Sequence, residues 1–481
     1  MRSRLGTLAS SIALAALVTG VAAAQDESAA AQADTETVES APQNPLPEAQ
    51  GAEAEQAEET ETPDASFDDA FPTMVSEPVI QGAIEAPAPL VQSWSVPQAR
   101  QLIEVITTIG DEGLDPADYD FQALNVALGS GPSEELDRLA SRNFIWLVED
   151  LRDGRTPMEA RKQWFVVDPD RDKYRTSDLL TQALETNDVA GTLASLQPEH
   201  PDYAKLRDEL AATPETEVEK RKLIRANMDR WRWLAKDLGL FYLYTNVPEF
   251  QARLVIGDKI HKSYRTIVGK PGRTATPQLA ETISGVVFNP TWTVPQSIVK
   301  GEGLGERVLN NPGWARTKGY KATRGANGYI SVVQQPGPTN SLGRMKLEMP
   351  NRHAIFFHDT PSRGLFSKAN RALSHGCIRT EDALELAITM AILGKGATKQ
   401  EAFDIVRSGK YTKVMIEREM PAYITYFTMA TDINGELATF KDIYGRDAPV
   451  LASLDEPRVR DRTNVTDEEV IVIENNPLAG G

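Results

Sequence analysis

The sequence holds one cysteine, Cys377, among 481 residues, and only five histidines. A lone thiol excludes an intramolecular disulfide framework. The histidines are too scattered to suggest a metal cluster, and neither a metal nor another cofactor is expected. Lys and Arg are absent from residues 25–70, which carry fourteen Asp and Glu. Much of the formal net charge of −18 therefore sits in one stretch. That argues against nucleic acid as a partner and says little about the remaining surface. Beyond the N-terminal residues, no run is long and apolar enough to cross a bilayer.

What is present divides the chain. With 41% hydrophobic and 25% charged residues it has material for two or three domains. Residues 1–24 carry Arg2 and Arg4, an apolar run from Leu5 to Val21 and three alanines before Gln25, the pattern of a cleavable secretory signal. Membrane contact is expected only if that signal stays uncleaved, and no cysteine stands beside the cleavage site to take a lipid. Residues 25–90, rich in Ala, Glu, Gln, Thr and Pro, read as a disordered acidic linker. Residues 91–238 read as helical, 239–450 as mainly β and 451–481 as a polar tail, which makes the chain α+β.

Ser95 is expected to cap a helix carrying Leu102, Ile103, Val105, Ile106 and Ile109, and apolar residues repeat at helical spacing from Leu136 to Leu151. After Gly239 the period becomes that of strands, with short runs at 241–245, 252–256, 260–268, 283–288, 329–334, 354–358 and 413–416. Residues 423–435 read as a closing hairpin. Residues 300–347 interrupt the pattern with nine glycines and eight basic residues against Glu302 and Glu306. Such a stretch reads as a mobile lid whose charge draws in carboxylate-rich ligands, or else as a solvated basic surface.

Cys377 lies in Ser374-His375-Gly376-Cys377-Ile378-Arg379, nineteen residues after the histidine of Phe357-His358-Asp359-Thr360-Pro361. An ordinary thiol, with a pKa of about 8.5, is mostly protonated at neutral pH, so a nucleophilic cysteine needs help to ionise. Three sources are near in sequence: a histidine brought across the fold, the Arg379 cation, and the positive end of a helix capped by Thr380. The amides of Gly376 and Cys377 can face a developing oxyanion. The bland alternative is a small buried hydrophobe beside a locally satisfied histidine. His200 and His261 read as surface or packing residues; among His353, His358 and His375, reach alone does not choose a base.

His358-Asp359-Thr360 followed by the run from Ser374 to Arg379 resembles the signature of the L,D-transpeptidase catalytic domain, found in cysteine acyltransferases of bacterial peptidoglycan. The runs Ala226 to Trp233, Ile267 to Pro271, and Phe288-Asn289-Pro290 with Trp292 and Pro295 are similar to the family's large periplasmic branch. So is Pro336-Gly337-Pro338 with Asn340, Leu342 and Gly343, and the run Gly113 to Tyr119 resembles part of the scaffold domain that precedes the catalytic one.

The resemblance implies a mainly β L,D-transpeptidase catalytic domain with a capping insertion at about 300–345, behind a helical scaffold domain, in a Gram-negative type periplasm. It implies Cys377 as nucleophile and His358 as base, Gly376, His375 and Ser374 in the oxyanion loop, and Arg379, Asn289 and Trp292 against substrate. The implied reaction forms 3-3 cross-links between peptidoglycan stem peptides through a cysteine acyl-enzyme, with a role in wall biogenesis and cell shape and with carbapenems as inhibitors. The alternatives are an L,D-carboxypeptidase that trims tetrapeptides and an enzyme that attaches a protein to peptidoglycan. Stem peptides are the expected partners, together with other cell-wall synthesis proteins. Two features depart from the branch: the small peptidoglycan-binding module usual before Asn227 is missing, and Phe356 stands where tyrosine is usual, which removes a hydrogen bond to substrate.

Overall fold

Ser95 caps the first helix as predicted, and with Gln98 it completes a reciprocal capping box. The computed structural model describes residues 90–166, 173–257, 259–460 and Glu468; the expected signal, nearly all of the acidic linker and most of the tail lie outside the described residues. Helices at Val96–Thr108, Phe121–Gly129, Glu134–Asp153, Thr176–Glu185 and Val189–Ala194 turn their apolar stripes inward. Leu102, Ile106, Leu124, Leu136, Phe144, Leu147 and Leu180 meet there in a core closed to solvent.

The next two helices, Pro201–Ala212 and Val218–Trp231, leave that bundle. Their Tyr203, Leu206, Ile224, Met228 and Trp231 share a core with sheet residues Tyr242, Tyr244, Val255, Tyr423 and Phe427. The chain is thus helical as far as Trp231, and its last two helices pack on the aromatic face of the sheet as well as on one another.

The strands in chain order are β1 (Phe241–Asn246), β2 (Gln251–Ile256), β3 (Lys259–Gly269), β4 (Leu279–Thr282), β5 (Gly285–Phe288), β6 (Trp292–Thr293), β7 (Tyr320–Arg324) and β8 (Ile330–Gln334). They continue as β9 (Met345–Glu348), β10 (Phe357–His358), β11 (Ala372–Ser374), β12 (Ile378–Thr380), β13 (Thr412–Met415), β14 (Pro421–Thr425), β15 (Met429–Thr431) and β16 (Leu437–Thr439). The main sheet runs β13-β5-β9-β10-β12-β3-β2-β1-β14-β4, with β11 paired to β3. Alternation along the strands sends Leu243, Leu254 and Ile424 to one face and Tyr242, Val255 and Tyr423 to the other. Leu386, Ala387 and Met390 of helix Ala383–Lys395, with Ala402 and Val406 of helix Lys399–Ser408, cover the first face.

Three elements differ from expectation. Thr380 ends β12, paired with Thr266, and the helix begins only at Ala383 after Asp382 at φ +50°; the backbone ladder along β3 outcompetes the hydroxyl's capping preference. The stretch 423–435 is not one hairpin, since β14 inserts between β1 and β4 while β15 and β16 pair across the turn after Thr431. The tail expected from 451 opens inside helix Asp447–Asp455, whose Val450 and Leu454 are buried, and Arg458 is buried against Glu149 and Asp150. Among the described residues, no helix is long and apolar enough to cross a membrane.

The insertion after β5 is a small subdomain. β6, β8 and β7 pair antiparallel, and helices Gln296–Gly301, Leu304–Asn310 and Pro312–Thr317 close with them over Val294, Val299, Val308, Ala315 and Val332. At its base the Asn340 amide donates to the carbonyls of Pro290, Gln334 and Gln335, and its oxygen accepts from the Leu342 amide. This one side chain binds together the strands of chain that enter and leave the cap.

Candidate active site

β10 is two residues long and lies between β9 and β12. His358 stands opposite Lys346 on one side, antiparallel, and opposite Arg379 on the other, parallel. Paired residues project to the same face of a sheet, so Lys346, His358 and Arg379 form a row across three strands. Phe357 and Ile378 turn the other way into the core. The Ile378 amide donates to the Phe356 carbonyl at 3.0 Å, which continues the ladder and sets Cys377 beside Phe356 on the face of the row. Diagonal neighbours of this kind sit roughly 7–8 Å apart at the backbone, within reach of side chains. Lys346, Phe356, His358, Cys377 and Arg379 all line one cleft of about 1070 Å³, whose opposite wall is the cap.

His358 is buried, and its Nδ1 lies 2.5 Å from the Asp359 carbonyl. A carbonyl only accepts, so Nδ1 carries the proton and Nε2 keeps a lone pair. Burial, and after it the Arg379 cation, push the imidazole down to about 3, and Lys346 acts in the same direction. The ring is therefore neutral at pH 7. The Asp359 carboxylate is held by the amides of Arg344 and Thr360 and by Arg363.

The Cys377 side chain is half-buried, with its sulfur donating to the Ala354 carbonyl at 3.6 Å. Its neighbours desolvate it on every side but the cleft, which pushes the thiol up to about 11, while the Phe356 backbone, Lys346 and Arg379 pull it down. The resting site thus holds a neutral thiol and a neutral imidazole. Arg379 helps as expected, but the helix end does not. Its start lies beyond the three residues of β12, about 10 Å along a strand, and a helix end acts only over about one turn.

The Ser374 hydroxyl donates to the Cys377 carbonyl at 2.7 Å and accepts from the Gly376 amide at 3.1 Å. The Gly376 amide, expected at the oxyanion, is thereby occupied within its own turn, where φ is +117°. The Gly376 carbonyl accepts from Thr276 Oγ1 at 2.7 Å. The Thr276 amide donates to the Tyr444 hydroxyl at 3.2 Å, and that hydroxyl donates to the Gly269 carbonyl at 2.6 Å. Arg446 donates to the Thr276 carbonyl at 3.0 Å. Residues well past the cysteine in sequence therefore brace its loop.

His375 turns to the cap, with Nε2 3.2 Å from a Glu302 carboxylate oxygen. Trp292 lines the cleft. Asn289 does not: its Nδ2 donates to the carbonyls of Ile405 and Lys410, so it fastens helix Lys399–Ser408 and its exit to the end of β5 and is no substrate contact. His353 is buried off the cleft against Phe165, with neither ring nitrogen hydrogen-bonded. His200 stacks on Trp231, and His261 is exposed on β3. Sequence reading passed over Lys346 as a site residue because β9 is four residues inside a stretch read as lid; the alternation Met345-Lys346-Leu347-Glu348 was the signal. Thr276 carries no local signal of its role.

Residues 241–416 match the family model of the L,D-transpeptidase catalytic domain, and residues 92–210 match that of the scaffold domain. A Haemophilus influenzae protein named "Putative L,D-transpeptidase" is 30% identical over 224 residues, covering 43% of this chain and 45% of that protein. The chain thus spans less than half the length of this curated relative. An L,D-transpeptidase from Mycobacterium smegmatis aligns with TM-score 0.21 at 12% identity, over 40% of this chain and 60% of that one. An L,D-transpeptidase solved in complex with imipenem aligns with TM-score 0.20 at 12% identity, over 39% of this chain and 59% of that one.

Proposed function

Residues 241–416 are an L,D-transpeptidase catalytic domain, and on that premise we propose that the chain forms 3-3 cross-links between peptidoglycan stem peptides in the periplasm, with Cys377 as nucleophile and His358 as base. The observation that carries this reading is the placement of the sole thiol and an imidazole with an unprotonated Nε2 on one face of adjacent strands, in an open cleft.

The cycle starts from two neutral groups. Nε2 of His358 takes the thiol proton as Sγ of Cys377 attacks the carbonyl of the third residue of a donor tetrapeptide. The tetrahedral intermediate collapses with loss of the terminal D-alanine, whose amine receives that proton, and a thioester remains. The side-chain amine of a diaminopimelate on a second stem attacks the thioester, His358 accepts its proton, and as the C–S bond breaks the leaving sulfur takes that proton back, restoring the neutral pair. Water in place of the amine gives tripeptide, and a protein lysine gives an attached protein. With the Gly376 amide occupied, the Cys377 amide and the nearby cations are left to stabilise the oxyanion.

Incubation of purified tetrapeptide muropeptides with the protein tests the reading. Dimers with a 3-3 bond are expected, whereas tripeptides alone would make it a carboxypeptidase. Intact mass after carbapenem treatment is expected to show one covalent adduct that Cys377→Ala abolishes. An adduct that survives this substitution would sink the nucleophile assignment.

A further inference from the structure

The row formed by Lys346, His358 and Arg379 sets a cation on each side of the imidazole. Among the described residues the Arg379 guanidinium makes no ion pair, and its Nε is buried without a hydrogen-bond partner. Lys346 is only loosely answered: Glu348 is 3.8 Å away and gives its other oxygen to Lys413 at 2.5 Å. The Lys346 ammonium sits 4.5 Å from the centroid of the Phe356 ring, which holds it on the side of Cys377. Two neighbouring cations around a buried base oppose folding unless an anion offsets them. The one fixed acid next to His358, Asp359, is already engaged by Arg344, Thr360 and Arg363 and cannot serve.

We propose that Lys346 and Arg379 form a binding site for a carboxylate of the donor stem peptide, seated across His358 and beside Cys377. This rests on the function proposed above and refines it by naming how the donor is chosen. Of the tetrapeptide's carboxylates, two lie on the residues joined by the bond that breaks and so within reach of this site: the terminal one on the leaving residue and the one at the far end of diaminopimelate. Burial is the main reason His358 stays unprotonated, and the two cations add to it; the bound anion offsets their share, so the imidazole becomes a stronger base when the donor is in place. Charge recognition and proton abstraction are thereby coupled through one ring.

The test uses the full chain carrying Cys377→Ala, which binds without reacting, and three synthetic tetrapeptides: the free acid, the amide of the terminal carboxyl, and the amide of the diaminopimelate carboxyl. Calorimetric titration is expected to show at least one amide binding ten-fold or more weaker than the free acid, and the amide affected identifies the carboxylate. Adding Lys346→Met is expected to weaken the free acid by a similar factor while leaving that amide unchanged, and Lys346→Arg to restore the free acid; melting curves check that each variant is folded. Equal binding of all three peptides, a uniform loss on Lys346→Met, or no binding of the free acid overturns the proposal. Turnover of the free acid by the unsubstituted chain is scored separately. Carboxylate-dependent binding without turnover would remove the acyl-transfer reading and leave the site standing.

Discussion

His358 and Cys377 titrate away from each other, one pushed down to about 3 and the other up to about 11, so neither is charged at neutral pH in the empty cleft. Alkylation of Cys377 by iodoacetamide, followed by intact mass, is therefore expected to accelerate steadily up to pH 9 or beyond. A plateau reached by about pH 6 would reveal an ion-paired thiolate instead. Gly343 holds the next residue-scale test: at φ +61°, a Cβ there would collide with the Asp359 carboxyl, whose backbone carbonyl fixes His358. Gly343→Ala is expected to lower stem turnover on the order of 10²-fold by displacing the base. His353 is held neutral by burial, down from 6.5 to about 4. A depressed base contributes stability above its unfolded pKa and loses it as pH falls through 6.5 towards about 4. At about 1.4 kcal/mol per unit the full loss is roughly 3 kcal/mol. His353→Phe is expected to raise the melting temperature more at pH 5 than at pH 8.

Among elements, the brace from Tyr444 through Thr276 to the Gly376 carbonyl ties the cysteine loop to a segment beyond the matched catalytic domain. Thr276→Val keeps shape and removes the hydroxyl that holds the loop. It is expected to cut kcat roughly 10-fold with KM nearly unchanged, whereas a merely structural role would lower melting temperature and leave kcat of the folded fraction intact. The sequence made the thiol, its histidine and most of the long strands legible, because alternation and the joined motifs are local. It misplaced Thr380, whose hydroxyl suits a helix cap until pairing with Thr266 claims it. It also misread Asn289, since a buried amide that holds two carbonyls looks in sequence like one that holds substrate. The alternation Met345-Lys346-Leu347-Glu348 marks a strand and the face Lys346 takes, but its place opposite His358 is set only when β9 and β10 come together.

Across the whole molecule the C-terminal segment stitches the helical region to the sheet. Arg155 donates to the carbonyls of Ser453 and Glu456, and Arg458 pairs with Glu149 and Asp150 out of solvent. Asp150→Ala leaves the buried Arg458 cation with Glu149 alone and the Tyr119 hydroxyl without its acceptor, and is expected to cost about 1–3 kcal/mol, read as a lowered midpoint in urea unfolding. A single transition for helical and sheet signals would accord with a shared core. The register of β1 against β14 puts Leu243 beside Ala422. A chain stopped at Ile416 leaves β1 as a bare edge and is expected in the insoluble fraction, unlike one stopped at Arg460. During synthesis the same pairing must wait until Thr425 has left the ribosome. Until then one side of β1 stands as an open edge, a template on which a neighbouring copy's strand can pair in place of its own.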